Sequence, residues 1–280
     1  MRFKLSLFLK ELVLFGAVQI LGLYVARIIA KQPAFYGISR EGLSFSWPDL
    51  LFIVIFGFIF VMLARRHSKI GGVLFKVVFI LAIFSGTNIV ASVFLDFGIA
   101  LLVALFLVLL TLFFSRVWVH NLAMVLALAG IGAVFGLSLK PVEAVILLAL
   151  LSFYDIWAVY KTKHMVQLAE GMIRAGAISG VIIPPSHKEL FSHTRSVVPG
   201  SDSMILGSGD IIFPLVLSAS VLAATSSLIY AILVTIFSCL GLFLMHLLFV
   251  SQTERKPMAA LPPIATASIV GYLVTLIFNF

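Results

Sequence analysis

The chain has 280 residues, of which 62% are hydrophobic and only 11% charged, and it carries a formal net charge of +8. Soluble domains carry about a quarter charged residues and about half apolar ones, so this composition excludes a water-soluble globular protein and makes a bilayer the solvent. The net positive charge then belongs to loops at a membrane surface and implies no nucleic-acid partner.

In lipid, backbone groups must be bonded within the spanning structure, which leaves helices or a closed barrel. Ten-residue alternating strands, the signature of a barrel, are absent. The expected fold is therefore all-α, a polytopic bundle. A span needs about 20 mainly apolar residues. Nine stretches qualify: 8–30, 49–64, 74–95, 98–115, 119–139, 141–160, 206–225, 228–250 and 259–279. The N-terminal Met1-Arg2-Phe3-Lys4 resembles the start of a signal peptide. The apolar stretch behind it is longer than a cleavable core, so it reads as a retained first helix. Only Asp96 and Gly98 divide the third span from the fourth.

Charge fixes an orientation. With the N-terminus cytoplasmic and nine spans, the inside segments hold 15 of the 19 Lys and Arg residues; only Arg27, Lys31, Arg40 and Lys140 fall outside. The positive-inside rule supports this arrangement and places the C-terminus outside. Three regions follow: residues 1–160 with six spans, a cytoplasmic loop 161–205, and residues 206–280 with three spans. In the loop, Met165, Leu168, Ala169, Met172 and Ile173 recur at helical spacing, which predicts an amphipathic helix on the inner membrane surface. Gly176, Gly180, Pro184-Pro185 and the polar stretch to Ser203 read as mobile linker. Gly132 with Gly136, and Ala267 with Gly271, form small-xxx-small pairs where helices pack closely.

The chemistry lies in two acids. Asp155 stands six residues before Lys161, roughly 9 Å inside the cytoplasmic end of its helix. Asp210 follows Gly207-Ser208-Gly209, a few residues into a helix that runs the opposite way from the same face. The two carboxyls can share one depth. Ionisable residues buried in a membrane are costly and mark functional sites by default. Two carboxylates brought together in a low-dielectric site cannot both ionise, so they hold one proton between them. The ionised member can take a proton from water while the protonated one polarises a peptide carbonyl. Gly207 and Gly209 allow close approach of backbone or substrate. Other acids have plainer readings: Glu143 suits the first turn of its helix, Asp96 is a loop residue, and Glu11 beside Lys10 sits near the inner interface. The single cysteine, Cys239, excludes an intramolecular disulfide and a cysteine metal cage.

Tyr154-Asp155 and Gly207-Ser208-Gly209-Asp210 resemble the Tyr-Asp and Gly-x-Gly-Asp motifs of the presenilin and signal peptide peptidase family of intramembrane aspartyl proteases. Ala260-Leu261-Pro262 is similar to the family's Pro-Ala-Leu element, with Ala259 where the leading proline is usual. The inferred orientation looks like that of presenilin and points to a compact prokaryotic, archaeal-type homologue.

This resemblance implies an endopeptidase that cuts within transmembrane segments of other membrane proteins. Asp155 and Asp210 would be catalytic, and Tyr154, Gly207, Gly209, Ala260, Leu261 and Pro262 would bind substrate or shape the site. It implies no metal, no cofactor and no obligatory partner subunit, allows a homo-oligomer, and places the protein in the plasma membrane. Pro262 and Pro263 keep the approach to their helix extended, so the backbone there could pair with an unwound substrate. Two alternatives use the same acids: an ion channel or proton-coupled transporter, and a type IV prepilin peptidase. The latter usually brings a cysteine-rich loop, which one cysteine cannot supply.

Overall fold

A computed structural model describes residues 5–31, 68–161, 176–186, 188–194, 203–252 and 258–278. Eight α-helices lie among them: α1 (Leu5–Lys31), α2 (Ser68–Phe94), α3 (Phe97–Phe113), α4 (Val117–Ser138), α5 (Pro141–Ile156), α6 (Ser208–Thr225), α7 (Leu228–Ser251) and α8 (Leu261–Phe278). Seven are long and apolar enough to cross a membrane, α5 together with the turn that follows it, and α3 is a shorter apolar helix of 17 residues. The expected span 49–64 and the expected amphipathic helix, from residue 162 on, lie outside the described residues.

The break between the third and fourth spans falls at Asp96, the N-cap of α3, whose carbonyl accepts the Ala100 N–H at 2.9 Å. Glu143 closes a capping box on Lys140 at the start of α5, where Pro141 occupies the first turn. Both fit the plain readings given to these acids.

Helices α4 and α6 form the centre. They are the most buried spans, with 61% and 56% of their apolar windows inside the protein, against 28–44% for the others. Their contact depends on small residues. A Cβ on Gly136 would stand 2.6 Å from both the Ala219 Cβ and the Val216 carbonyl oxygen. Gly132 faces Leu215 and Ile212 in the same way. The second expected pair packs α8 on α7, Gly271 against Phe237 and Ala267 against Gly241. A further close crossing went unread in the sequence: Gly86 of α2 and Gly130 of α4 bring backbone onto backbone.

One segment departs from expectation. The linker between Gly176 and Ser203 is not structureless throughout. Strand β1 (Gly180–Ile183) pairs antiparallel with β2 (Met204–Gly207), and Gly180 stands opposite Gly207. The helix expected from residue 206 therefore begins only at Ser208, and Leu206 and Gly207 end a strand. Among the described residues the fold is all-helical apart from this two-stranded sheet and an isolated bridge between Arg116 and His193.

Candidate active site

The sheet is bound to the helical core. Asn121 of α4 lies against β1 like a neighbouring strand: its Nδ2 donates to the Ile182 carbonyl at 2.7 Å, and its Oδ1 accepts the Ile182 N–H at 2.8 Å. The His120 ring bonds the Gly180 carbonyl at 2.8 Å. Lys10 Nζ donates to the Pro184 and Pro185 carbonyls at 2.9 and 3.0 Å. These bonds close the outer edge of β1, because buried backbone groups left unpaired are costly. They also fix where α6 begins. The Ser208 N–H reaches the Ser179 carbonyl at 3.3 Å, and the two serine hydroxyls lie 2.8 Å apart.

Asp210 is the third residue of α6, half-buried. Gly207 just before the helix has φ −62° and ψ 147°, an ordinary extended conformation, so conformational freedom is not why glycine stands there. Space is the reason. A Cβ at 207 would lie 2.9 Å from Asp210 Oδ2, where the carboxyl folds back over the strand end. Gly209 differs, because a Cβ there would meet only Phe213 at 3.5 Å, an ordinary contact. Four residues on, Pro214 sits inside the helix and has no N–H to return to the Asp210 carbonyl.

Asp155 is the penultimate residue of α5 and half-buried, next to the half-buried Tyr154. Immediately beyond it the helix widens into a π-helical turn, Trp157–Lys161. The Trp157 N–H is shared between the Phe153 and Tyr154 carbonyls at this transition. Such π turns are rare and concentrate at functional sites.

The third motif meets Asp155 directly. The Leu261 N–H donates to Asp155 Oδ2 at 3.3 Å. A helix start leaves four N–H groups without intrahelical partners, and Pro262 and Pro263 remove two of them. Leu261 keeps its N–H, which goes to the carboxylate. Met258, Ala259 and Ala260 lead into α8 without regular structure. Ala259 and Leu261 are buried, while Ala260 and Pro262 are half-buried. Helices α5, α6 and α8 pack against one another pairwise. Asp155 lies within electrostatic reach of Asp210.

Two features escaped the reading of the sequence. Gln19 of α1 is fully buried, and its Nε2 donates to the carbonyl of Ile211, the residue after Asp210, at 2.8 Å. A lone amide within an apolar span was the available signal. Glu11, read in the sequence only as an acid near the inner interface, has a partner within the protein. It is completely buried, and its Oε2 lies 2.8 Å from His246 Nδ1 of α7. Neighbouring Lys10 turns to the sheet instead, because adjacent helix positions point about 100° apart. Among the described residues no group of three or more His, Cys, Asp or Glu side chains could hold a metal ion.

Comparison with known proteins bears on the fold and the family. Two solved structures of a presenilin family intramembrane aspartate protease share the fold. The one in the P2 space group has a TM-score of 0.62 at 24% identity and covers 98% of each chain. The one in the C222 space group has a TM-score of 0.59 at 22% identity and covers 95% of each. No curated protein matches. The family model described as signal-peptide peptidase, presenilin aspartyl protease matches residues 12–280, and neither the transporter nor the prepilin-peptidase alternative finds support in these matches. The chain belongs to the signal-peptide peptidase and presenilin family and is a multi-pass intramembrane aspartyl protease.

Proposed function

We propose that Asp155 and Asp210 are the catalytic dyad of this protease and that the Ala260-Leu261-Pro262 element forms the wall beside them. The observation that carries the reading is the bond from the Leu261 N–H to Asp155 Oδ2, which joins two of the three motifs at one carboxyl group. The dyad works with one proton. The ionised carboxylate accepts a proton from water as the oxygen attacks the scissile carbonyl carbon, and the protonated carboxyl donates to the carbonyl oxygen. Collapse of the tetrahedral diol breaks the C–N bond, and the departing amine takes a proton from the dyad. The two acids titrate as a pair, so neither is assigned a fixed role.

A transmembrane substrate must unwind locally before a dyad can reach its peptide bond. The sheet beside Asp210 offers the exposed strand a place to pair. The outer edge of β1 is occupied by Asn121 and His120, so the edge left for an added strand is that of β2, which leads straight to Gly207 and Asp210. Tyr154 and Gly209 shape the same cleft.

The remaining readings extend this one. They are nine spans with the N-terminus cytoplasmic and the C-terminus outside, and a six-span N-terminal region, residues 1–160, joined through the loop 161–205 to a three-span C-terminal region, residues 206–280. The protein acts in the plasma membrane, alone or as a homo-oligomer, without an obligatory partner subunit, metal or cofactor. The test is cleavage of a helical membrane substrate by the reconstituted protein. Asp155→Asn and Asp210→Asn should each reduce cleavage to background, and full activity in either variant would remove that acid from the dyad.

A further inference from the structure

Helices α1 and α7 border a groove of about 700 Å³, reaching from Phe8, at the end that holds Lys10 and Glu11, to Arg27 at the other. Its walls are apolar, with Ile20, Ile232 and Ile236 prominent. Gln19 and Thr235 are polar but engaged within the protein. Gln19 Nε2 holds the Ile211 carbonyl at 2.8 Å, and Thr235 Oγ1 bonds Ser218 Oγ and the Ala231 carbonyl, both at 3.1 Å. At its far end the groove runs into a second hollow of about 190 Å³, which shares Arg27 and Leu228 and adds Lys31 and Ser226. Neither Arg27 nor Lys31 has an acidic partner among the described residues. The first turn of α7 opens there with Ser227 providing no side-chain cap, so its N–H groups add partial positive charge.

We propose that this groove binds an anionic phospholipid, with an acyl chain along α1 and α7 and its phosphate between Arg27 and Lys31. Size argues for a chain and against a helix. From Phe8 to Arg27, α1 rises roughly 28 Å, and a helix 10–12 Å across over that length would occupy roughly 2,000–3,000 Å³. The groove holds about 700 Å³, so it could seat only an edge of a helix, whereas it can enclose extended hydrocarbon. Charge argues for an anionic headgroup. Two cations at one mouth, one of them a guanidinium that pairs with phosphate bidentately, are matched by a net negative lipid and not by a zwitterionic one.

The site does not depend on proteolysis, so its test is separate from that of the dyad. The full chain is extracted from vesicles of equal parts phosphatidylglycerol and phosphatidylcholine, and retained lipid is identified by native mass spectrometry. The wild type should retain one phosphatidylglycerol at least fivefold over phosphatidylcholine. Arg27→Gln with Lys31→Gln should reduce that preference to parity, and Ile236→Trp, which fills the groove, should abolish retention of either lipid. In phosphatidylcholine vesicles both variants should cleave as the wild type does, showing that they are folded. Equal retention of the two lipids by the wild type would overturn the proposal, as would a preference that survives the double substitution. No retained lipid would overturn it too, as would a dimer mass lost on Ile236→Trp, which would make a second copy the occupant of the groove.

Discussion

At the scale of single residues, the two glycines of the Gly207-Ser208-Gly209-Asp210 motif have different roles. Gly207 leaves the volume into which the Asp210 carboxyl folds, and Gly209 has room for a methyl group. Gly207→Ala should therefore lower kcat at least tenfold, while Gly209→Ala stays within about threefold of wild type; equal effects would place the constraint elsewhere. Gln19 acts one residue away from Asp210, through the Ile211 carbonyl. A buried hydrogen bond of this kind contributes about 1 kcal/mol net. Gln19→Leu should leave the protein folded and lower kcat with little change in KM, since the bond it removes is to the backbone beside Asp210. A rise in KM alone would count against a positioning role. The dyad needs one of its two protons, so cleavage measured against pH should rise and then fall, with limbs that belong to the pair.

At the scale of elements, the site is made where helices begin and end. Asp155 precedes a π turn, Asp210 follows a strand, and Leu261 starts a helix with a double proline behind it. Each junction leaves backbone groups outside regular ladders, which allows a carboxylate, a strand and a substrate to meet. The sheet depends on Asn121, which satisfies both backbone groups of Ile182. Asn121→Leu strands a buried donor and acceptor, each costing about 1–3 kcal/mol. The expected outcome is a several-fold rise in KM and faster amide exchange at Val181 and Ile182. Loss of kcat with KM unchanged would argue that the sheet does not bind substrate.

At the scale of the molecule, the buried Glu11–His246 pair joins the first helix to the C-terminal region. Removing one partner of a buried pair costs about 3–5 kcal/mol because the other is left uncompensated, whereas replacing both with apolar groups is often neutral. Glu11→Leu and His246→Leu should each lower the thermal midpoint in detergent, and the double substitution should recover most of the loss. Additive losses would mean that the residues do not act as a pair. The orientation predicts that single cysteines introduced near the two ends of the chain, in a Cys239→Ser background, are labelled from opposite sides of the membrane.

Much of this was legible in the residues alone. Apolar runs of span length mark helices because lipid permits few alternatives, and the ends of eight of the nine expected spans fall within six residues of described helix ends. The two acids stood out because charge inside a membrane is costly, and their neighbours Tyr154, Gly207 and Leu261 carried the family pattern. The small-residue pair Gly132 and Gly136 was readable as packing but not as a contact with α6 in particular. Pairings between distant segments were not legible. A four-residue strand such as Gly180–Ile183 has no period to distinguish it from linker, and its partner begins only at Met204. Glu11 next to Lys10 looks the same in sequence whether it faces water or His246. Composition and periodicity are local and determined the solvent, the helices and the candidate acids. Only tertiary packing, which brings residues more than a hundred positions apart onto one carboxyl group, decided that Leu261 meets Asp155 and that a sheet sets the start of the helix bearing Asp210.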